Sequence, residues 1–207
     1  TGSAIPDGGP ALWAEGQQKQ GSQNATGATA DIADTPLNVD VGDLDGDFDL
    51  DFVHGARDET PRIFRNHLEE HGGELAAFRE VTFAAMVQTA LGGFNYEQEL
   101  GDLDDDGDLD LYGVNWFGYE DTVSWNDGAG QYGFFTPVPD SFPPDNQAVL
   151  LDIDGDGHLD VFVAGFVNSP DRALLNAGPP GYGLVPLAGL PPQTTASLGA
   201  DAGDVDG

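Results

Sequence analysis

The stretch LGDLDDDGDLDLYGVN, from Leu100 to Asn115, sets six aspartates around a single inner glycine and then turns abruptly apolar. Asp102, Asp104 and Asp106 alternate with other residues, Gly107 permits a sharp turn, and Asp110 returns from the start of an apolar strand. Calcium takes six to eight oxygens in a flexible geometry, which a tight loop of alternate carboxylates plus a carbonyl provides. Magnesium keeps more of its waters, and zinc seeks nitrogen or sulfur. Four converging carboxylates make six like-charge pairs, each costing roughly 4 kcal/mol at an effective dielectric of 20 and nearer ~1 kcal/mol in water. That is comparable with a whole domain stability of about 5–15 kcal/mol. Such a loop opens, takes up protons or binds a metal.

The pattern recurs. VGDLDGDFDLDFVHG begins at Val41, LLDIDGDGHLDVFVAG at Leu150, and AGDVDG runs from Ala202 to Gly207. The first aspartates, Asp43, Asp102, Asp152 and Asp204, are 59, 50 and 52 residues apart. A second landmark keeps the same phase: RIFRN ending at Asn66, VSWNDG with Asn126 and ALLNAG with Asn176, while ALWAEG puts Ala14 in the asparagine place. The units therefore run over about 43–101, 102–151 and 152–203 of one segment, 1–207, with a partial blade at 1–42 and a truncated motif at 204–207.

Each aspartate cluster leads into a short strand, Leu50 to Val53, Leu109 to Val114 and Leu159 to Ala164, apolar on both faces and so covered on both sides. A second strand carries the asparagine, with turns such as NDGAG and NAGPPG after it, and a third piece closes the unit at Phe78 to Phe83, Phe134 to Val138 and Gly183 to Leu187. Leu75 to Leu91 also reads as an amphipathic helix, but its place in the repeat favours strand plus loop. Short strands repeating every 40 to 50 residues predict an all-β fold of β-propeller blades, about three whole repeats with partial ends. An EF-hand is rejected, because its twelfth-position glutamate would fall on Gly113 or Val163 and the flanking residues form strands.

Composition narrows the partners. With 6 basic and 37 acidic residues the formal charge is −31, and Lys19 is the only lysine. That field repels a phosphate backbone and gathers cations, so nucleic acid is not an expected partner. The absence of cysteine removes disulfides, thiol catalysis and cysteine-ligated zinc. No apolar run reaches the length of a membrane span.

The set DLDGDFDLD, DLDDDGDLD and DIDGDGHLD, each followed by a strand and then by RN, WN or LN before glycine-rich turns, resembles the FG-GAP/VCBS repeat family, whose blades are like those of the integrin α-subunit propeller. The resemblance covers about Ala11 to Gly207 and implies calcium held by side chains at the first, third, fifth and ninth loop positions and by the seventh carbonyl. The implied first site is Asp43, Asp45, Asp47 and Asp51 with the carbonyl of Asp49. The second is Asp102, Asp104, Asp106 and Asp110 with the carbonyl of Asp108, and the third Asp152, Asp154, Asp156 and Asp160 with that of His158. Asp204 and Asp206 begin a fourth, partial site. Phe48 stands where the family has glycine, which predicts a different turn and weaker binding in the first loop. The FG and GAP strings of adhesion receptors are missing, so integrin activity itself does not transfer. Because the family's propellers close with more blades, the chain is expected to be part of a larger propeller, with completion by another copy as the alternative.

No catalytic constellation emerges. His67 and His71 in HLEEH match H-x-x-E-H formally but fall in an insertion at a blade tip, which reads as a solvated turn, and His54 reads as packed or capping. Trp116, Phe117, Tyr119 and Trp125 either pack between blades or stack on a sugar or protein partner. The expectation is a non-catalytic, calcium-stabilised module, extracellular or at the cell surface, with a structural, adhesion or protein-interaction role and self-association through open blade edges. The alternatives are the propeller portion of a secreted polysaccharide lyase or hydrolase, for which paired carboxylates would serve, and a repeat subunit of a surface filament.

Overall fold

The computed structural model describes residues 35–57, 61–67, 78–86, 95–115, 118–166, 169–179, 183–190 and 196–203. The strands form three four-stranded antiparallel sheets, each in simple meander order. The first holds β1 Thr35–Gly42, β2 Asp51–Arg57, β3 Arg62–Arg65 and β4 Arg79–Glu80, followed by one turn of helix, α1 Thr82–Ala85. The second holds β5 Asn95–Gly101, β6 Asp110–Asn115, β7 Thr122–Trp125 and β8 Phe134–Pro137, and the third β9 Asp145–Leu151, β10 Asp160–Gly165, β11 Arg172–Asn176 and β12 Leu184–Pro186. These are blades of the propeller type. Their leading strands stand side by side, β1 against β5 and β5 against β9, while β2 and β6 also reach the next leading strand.

Four strands per blade is one more than the sequence reading assigned. The missed strand precedes the aspartates, and Gly42 pairs with Asp51, Gly101 with Asp110 and Leu151 with Asp160 across it. The unit counted from the first aspartate is thus offset from the sheet by one strand. At Phe78 to Phe83 the expected strand is cut short: only Arg79 and Glu80 pair with β3, and Thr82 turns into α1. The turn has a local cause, since the Thr82 hydroxyl accepts the Ile63 N–H at 3.0 Å and takes over a role the next strand residue would have played. The longer helix over Leu75 to Leu91 is absent among the described residues.

Apolar residues fill the spaces between blades. Leu44, Val53, Ile63, Ala85, Met86, Leu111 and Tyr132 form the core between the first and second blades. Leu103, Tyr112, Val114, Val123, Val138, Ala148, Val161, Val163 and Leu174 form that between the second and third. Leu44 and Leu103 belong to the aspartate loops, yet each is 1% exposed. The first two loops therefore drive their second residue into the core shared with the following blade, a burial contributing about 1.5–3 kcal/mol. At the opposite end of the strands the second and third blades share a buried ion pair. Arg172 is bidentate to Asp145 at 3.0 and 2.6 Å and reaches Asp121 at 3.1 Å. Tyr112 donates to the same Asp121 carboxylate at 3.0 Å.

Candidate metal centre

Three loops share one backbone scheme. The first-position carboxylate caps the turn: Asp43 accepts the N–H groups of Gly46 and Phe48 at 2.8 and 3.0 Å, Asp102 those of Asp106 and Gly107 at 3.1 and 3.0 Å, and Asp152 those of Gly155 and Gly157 at 2.7 and 3.0 Å. The ninth-position carboxylate is buried and spans the loop. Asp110 accepts Leu103 N–H at 3.1 Å with one oxygen and Asn126 N–H at 2.9 Å with the other. Asp51 does the same with Leu44 and Asn66, and Asp160 with Ile153 and Asn176.

This scheme brings ligand atoms of Asp43, Asp45 and Asp51 within 4.8 Å of one another, and likewise Asp102, Asp104 and Asp110, and Asp152, Asp154 and Asp160. These three triads could each bind a metal ion. The fifth-position carboxylates lie outside the triads and cap the loop instead. Asp47 accepts from Asp49 N–H at 2.9 Å, Asp106 from Asp108 and Asp156 from His158, each at 3.0 Å. Asp49 and Asp108 stand with their backbones at the seventh position. His158 holds the same place, and its ring meets Asp105 of the preceding loop at 2.6 Å. Asp204 and Asp206 lie outside the described residues, as do Trp116, Phe117 and His71. His54 is 2% exposed and stacked on Phe64, in keeping with a packed residue. Trp125 is half-buried against the core, with its indole N–H on the Thr136 hydroxyl, so of the aromatic quartet Tyr119 alone among the described residues stays exposed.

The donor set suits a hard divalent cation. All of it is carboxylate oxygen, and Oδ1 of Asp45 and of Asp104 is buried without a hydrogen-bond partner, the kind of atom a bound ion would satisfy. Burial pushes Asp51 up to about 6 and Asp110 to about 7, against the pull of the backbone N–H groups they accept. Asp104 is raised by burial and then by Asp106. These carboxylates are held closer to protonation than water would hold them, a direction that a nearby divalent charge reverses.

Phe48 corrects an expectation. It takes φ 70°, close to the 96° and 95° of Gly107 and Gly157, so the first loop keeps the shared turn and bears strain rather than turning another way. Sequence reasoning also missed the role of the asparagine landmark. The Asn126 side-chain amide donates to the Leu44 carbonyl at 2.9 Å and to that of Leu109 at 3.1 Å. Asn176 repeats this with Leu103 at 2.7 Å and Leu159 at 3.2 Å. Each asparagine thus pins the preceding blade's loop to its own, and its constant phase behind the aspartates was the signal for it.

Comparison with curated proteins finds no match. The FG-GAP-like repeat model matches residues 102–163 and 152–207, which takes in the second and third loops and the asparagines that pin them, and the chain belongs to the FG-GAP-like repeat family.

Proposed function

We propose that the chain is a calcium-stabilised structural and interaction module, non-catalytic and working outside the cell or at its surface. The observation that carries this reading is the triad itself, built three times from the first, third and ninth aspartates, with orphaned buried oxygens on Asp45 and Asp104. Asp43, Asp45 and Asp51, Asp102, Asp104 and Asp110, and Asp152, Asp154 and Asp160 would hold the ions. Bound calcium supplies the positive charge that lets these carboxylates converge. The chain's own residues convert that into blade order: the ninth aspartate fixes the asparagine backbone, and the asparagine amide fixes the preceding loop. Binding and folding are then linked. Loops carrying five, six and four aspartates suit affinities for the calcium-rich extracellular medium.

Melting the chain in calcium, in EDTA and in magnesium at matched ionic strength tests this. The melting temperature is expected to rise saturably with calcium and far less with magnesium. A melt indifferent to calcium overturns the reading.

A further inference from the structure

We propose that the junction between the second and third blades binds one proton, shared by the carboxyl groups of Asp121 and Asp145, and that this proton helps to hold the two blades together. The inference goes beyond the calcium reading, because the site lies at the end of the strands away from the aspartate loops.

The two carboxyls meet over one cation. Oδ2 of Asp121 and Oδ2 of Asp145 both lie on Nη2 of Arg172, at 3.1 and 2.6 Å, and Nη1 of Arg172 reaches Oδ1 of Asp145 at 3.0 Å. Asp121 also accepts the Tyr112 hydroxyl at 3.0 Å and the Asn115 N–H at 2.9 Å. Asp121 stands just before β7, Asp145 opens β9, Tyr112 lies on β6 and Arg172 opens β11, so both blades contribute. Both carboxyls are 0% exposed. Tyr112 and Arg172 are the titratable groups that face them among the described residues, and residues 116–117 and 167–168 of the flanking loops contain none.

Two carboxylates against one guanidinium leave an excess negative charge out of reach of solvent. A buried charge without a counter-charge neutralises itself by taking up a proton. Because the two carboxyls share a nitrogen, that proton belongs to the pair and not to either residue. The electrostatics agree with the geometry. Asp121 is pushed well above the usual carboxylate range by burial and then by the Asp145 charge, and burial raises Asp145 against the pull of Arg172. Burial and the Asp121 charge raise Tyr112, so its hydroxyl keeps its own proton and serves as a donor.

The repeat carries the inference independently. Ser197 stands seven residues before Asp204, as Asp145 does before Asp152, and Asp171 five before Asn176, as Asp121 does before Asn126. There the Ser197 hydroxyl donates to Oδ2 of Asp171 at 3.0 Å. Asp145 thus occupies the place of a hydrogen-bond donor, and a carboxyl donates only when protonated. At the first junction the places of Asp121, Asp145 and Arg172 are taken by Pro61, Asn95 and Thr122, none of them ionisable. Acid facing acid occurs at the one junction where an arginine accompanies it.

The folded pair holds its proton more tightly than the unfolded chain, in which aspartate titrates near 3.8. The stability that the proton contributes is therefore complete below about 3.8, declines as the pH rises and is lost once the folded pair has ionised. Alkali loosens the junction.

Carbon-13 NMR of the aspartate carboxyl groups, on the full chain in saturating calcium, tests the proposal, with the two signals assigned by Asp121→Asn and Asp145→Asn. On raising the pH, both signals should move together in a step above 3.8. Asp145→Asn should abolish that step and leave Asp121 ionised beside Arg172. By denaturant unfolding, the folding constant of the wild type relative to Asp145→Asn should fall about tenfold per pH unit between 3.8 and the step, then level off. Glu97 and Glu99 titrate in both chains and cancel. A merely structural role would lower stability by the same factor at every pH, so parallel curves overturn the proposal. Two carboxyls already ionised at 3.8 overturn it as well. If Asp145→Asn does not fold, Asp145→Ser, which copies Ser197, replaces it, and the wild-type signals decide in either case. The EDTA melt scores the calcium reading separately, so the two fail independently.

Discussion

The first and second aspartate loops make the same hydrogen bonds and differ in what surrounds them. Both hold the fourth and sixth positions at positive φ, through Gly46 and Phe48 in the first and Asp105 and Gly107 in the second. Aspartate tolerates that region where a bulky aromatic does not. Phe48 is also 93% exposed, so no burial offsets its strain. In addition the first loop has a competing cation: Nη1 of Arg65 lies 3.3 Å from Oδ2 of Asp45, where the second and third blades carry Trp125 and Leu175. One backbone design therefore yields a strained triad with a guanidinium on it and a less strained triad that faces a tryptophan at the equivalent place. On the calcium reading proposed above, the sixth residue and the nearest basic group, and not ligand geometry alone, would rank the sites.

The largest expected effect is chelation. Saturation a hundredfold above Kd contributes about 2.7 kcal/mol per site, or about 8 kcal/mol for three. A chain of this size shifts by about 2–4 °C per kcal/mol. EDTA should thus lower the melting temperature by roughly 15–30 °C. A calcium titration followed by heteronuclear NMR should load the second loop before the first, and simultaneous loading would break the comparison.

The asparagines sharpen it further. Asn126 bridges two blades, whereas the Asn66 amide reaches Leu50 O at 3.3 Å and its buried Oδ1 has no partner among the described residues. Asn126→Ala removes the side-chain donor of the Leu44 carbonyl and leaves that of Leu109 to the Tyr132 hydroxyl, and should cost about 1–3 kcal/mol by denaturant midpoint, with Asn66→Ala costing about half as much. Equal losses would mean that the bond between blades is not what the residue contributes.

What the sequence disclosed follows the same physics. The aspartate loops and the strands after them were legible because their donors and apolar runs are contiguous. The leading strands were not. Asn38, Glu97 and Gln147 interrupt any apolar alternation in TPLNVDVG, NYEQELG and DNQAVLL, because their partners are N–H groups on the next blade. Arg172 with Asp121 and Asp145 was hidden for a related reason, being a buried ion pair drawn from three separate strand ends.

The strain difference is testable by exchange. An L-residue in the left-handed region costs about 1–2 kcal/mol, partly offset by the chain entropy that glycine gives up on folding. Phe48→Gly should therefore stabilise the calcium-loaded chain by at most ~1 kcal/mol and tighten the weakest site in calorimetry. Gly107→Phe should cost about 1–2 kcal/mol and weaken the strongest. A neutral Phe48→Gly would leave Arg65 as the cause of the difference.

The smallest effect sits on the leading strands, where one acid stands between two amides. Asn38, Glu97 and Gln147 hold equivalent positions, and burial followed by the Glu99 charge pushes Glu97 up to about 9. Glu99 itself is raised to about 7 by burial and then by Asp40. Glu97 is thus neutral at physiological pH and acts as its amide neighbours do. Its folded value lies above the unfolded 4.5, so the stability it contributes is complete below about 4.5, declines as the pH climbs, and is gone above about 9. Glu97→Gln keeps the acceptor for Ala148 N–H and removes the titration. Melts at fixed calcium should show the wild type losing stability from neutral to alkaline pH faster than the variant, by a few degrees. Parallel curves would mean that Glu97 is ionised in the fold and that Glu99 carries the alkaline loss.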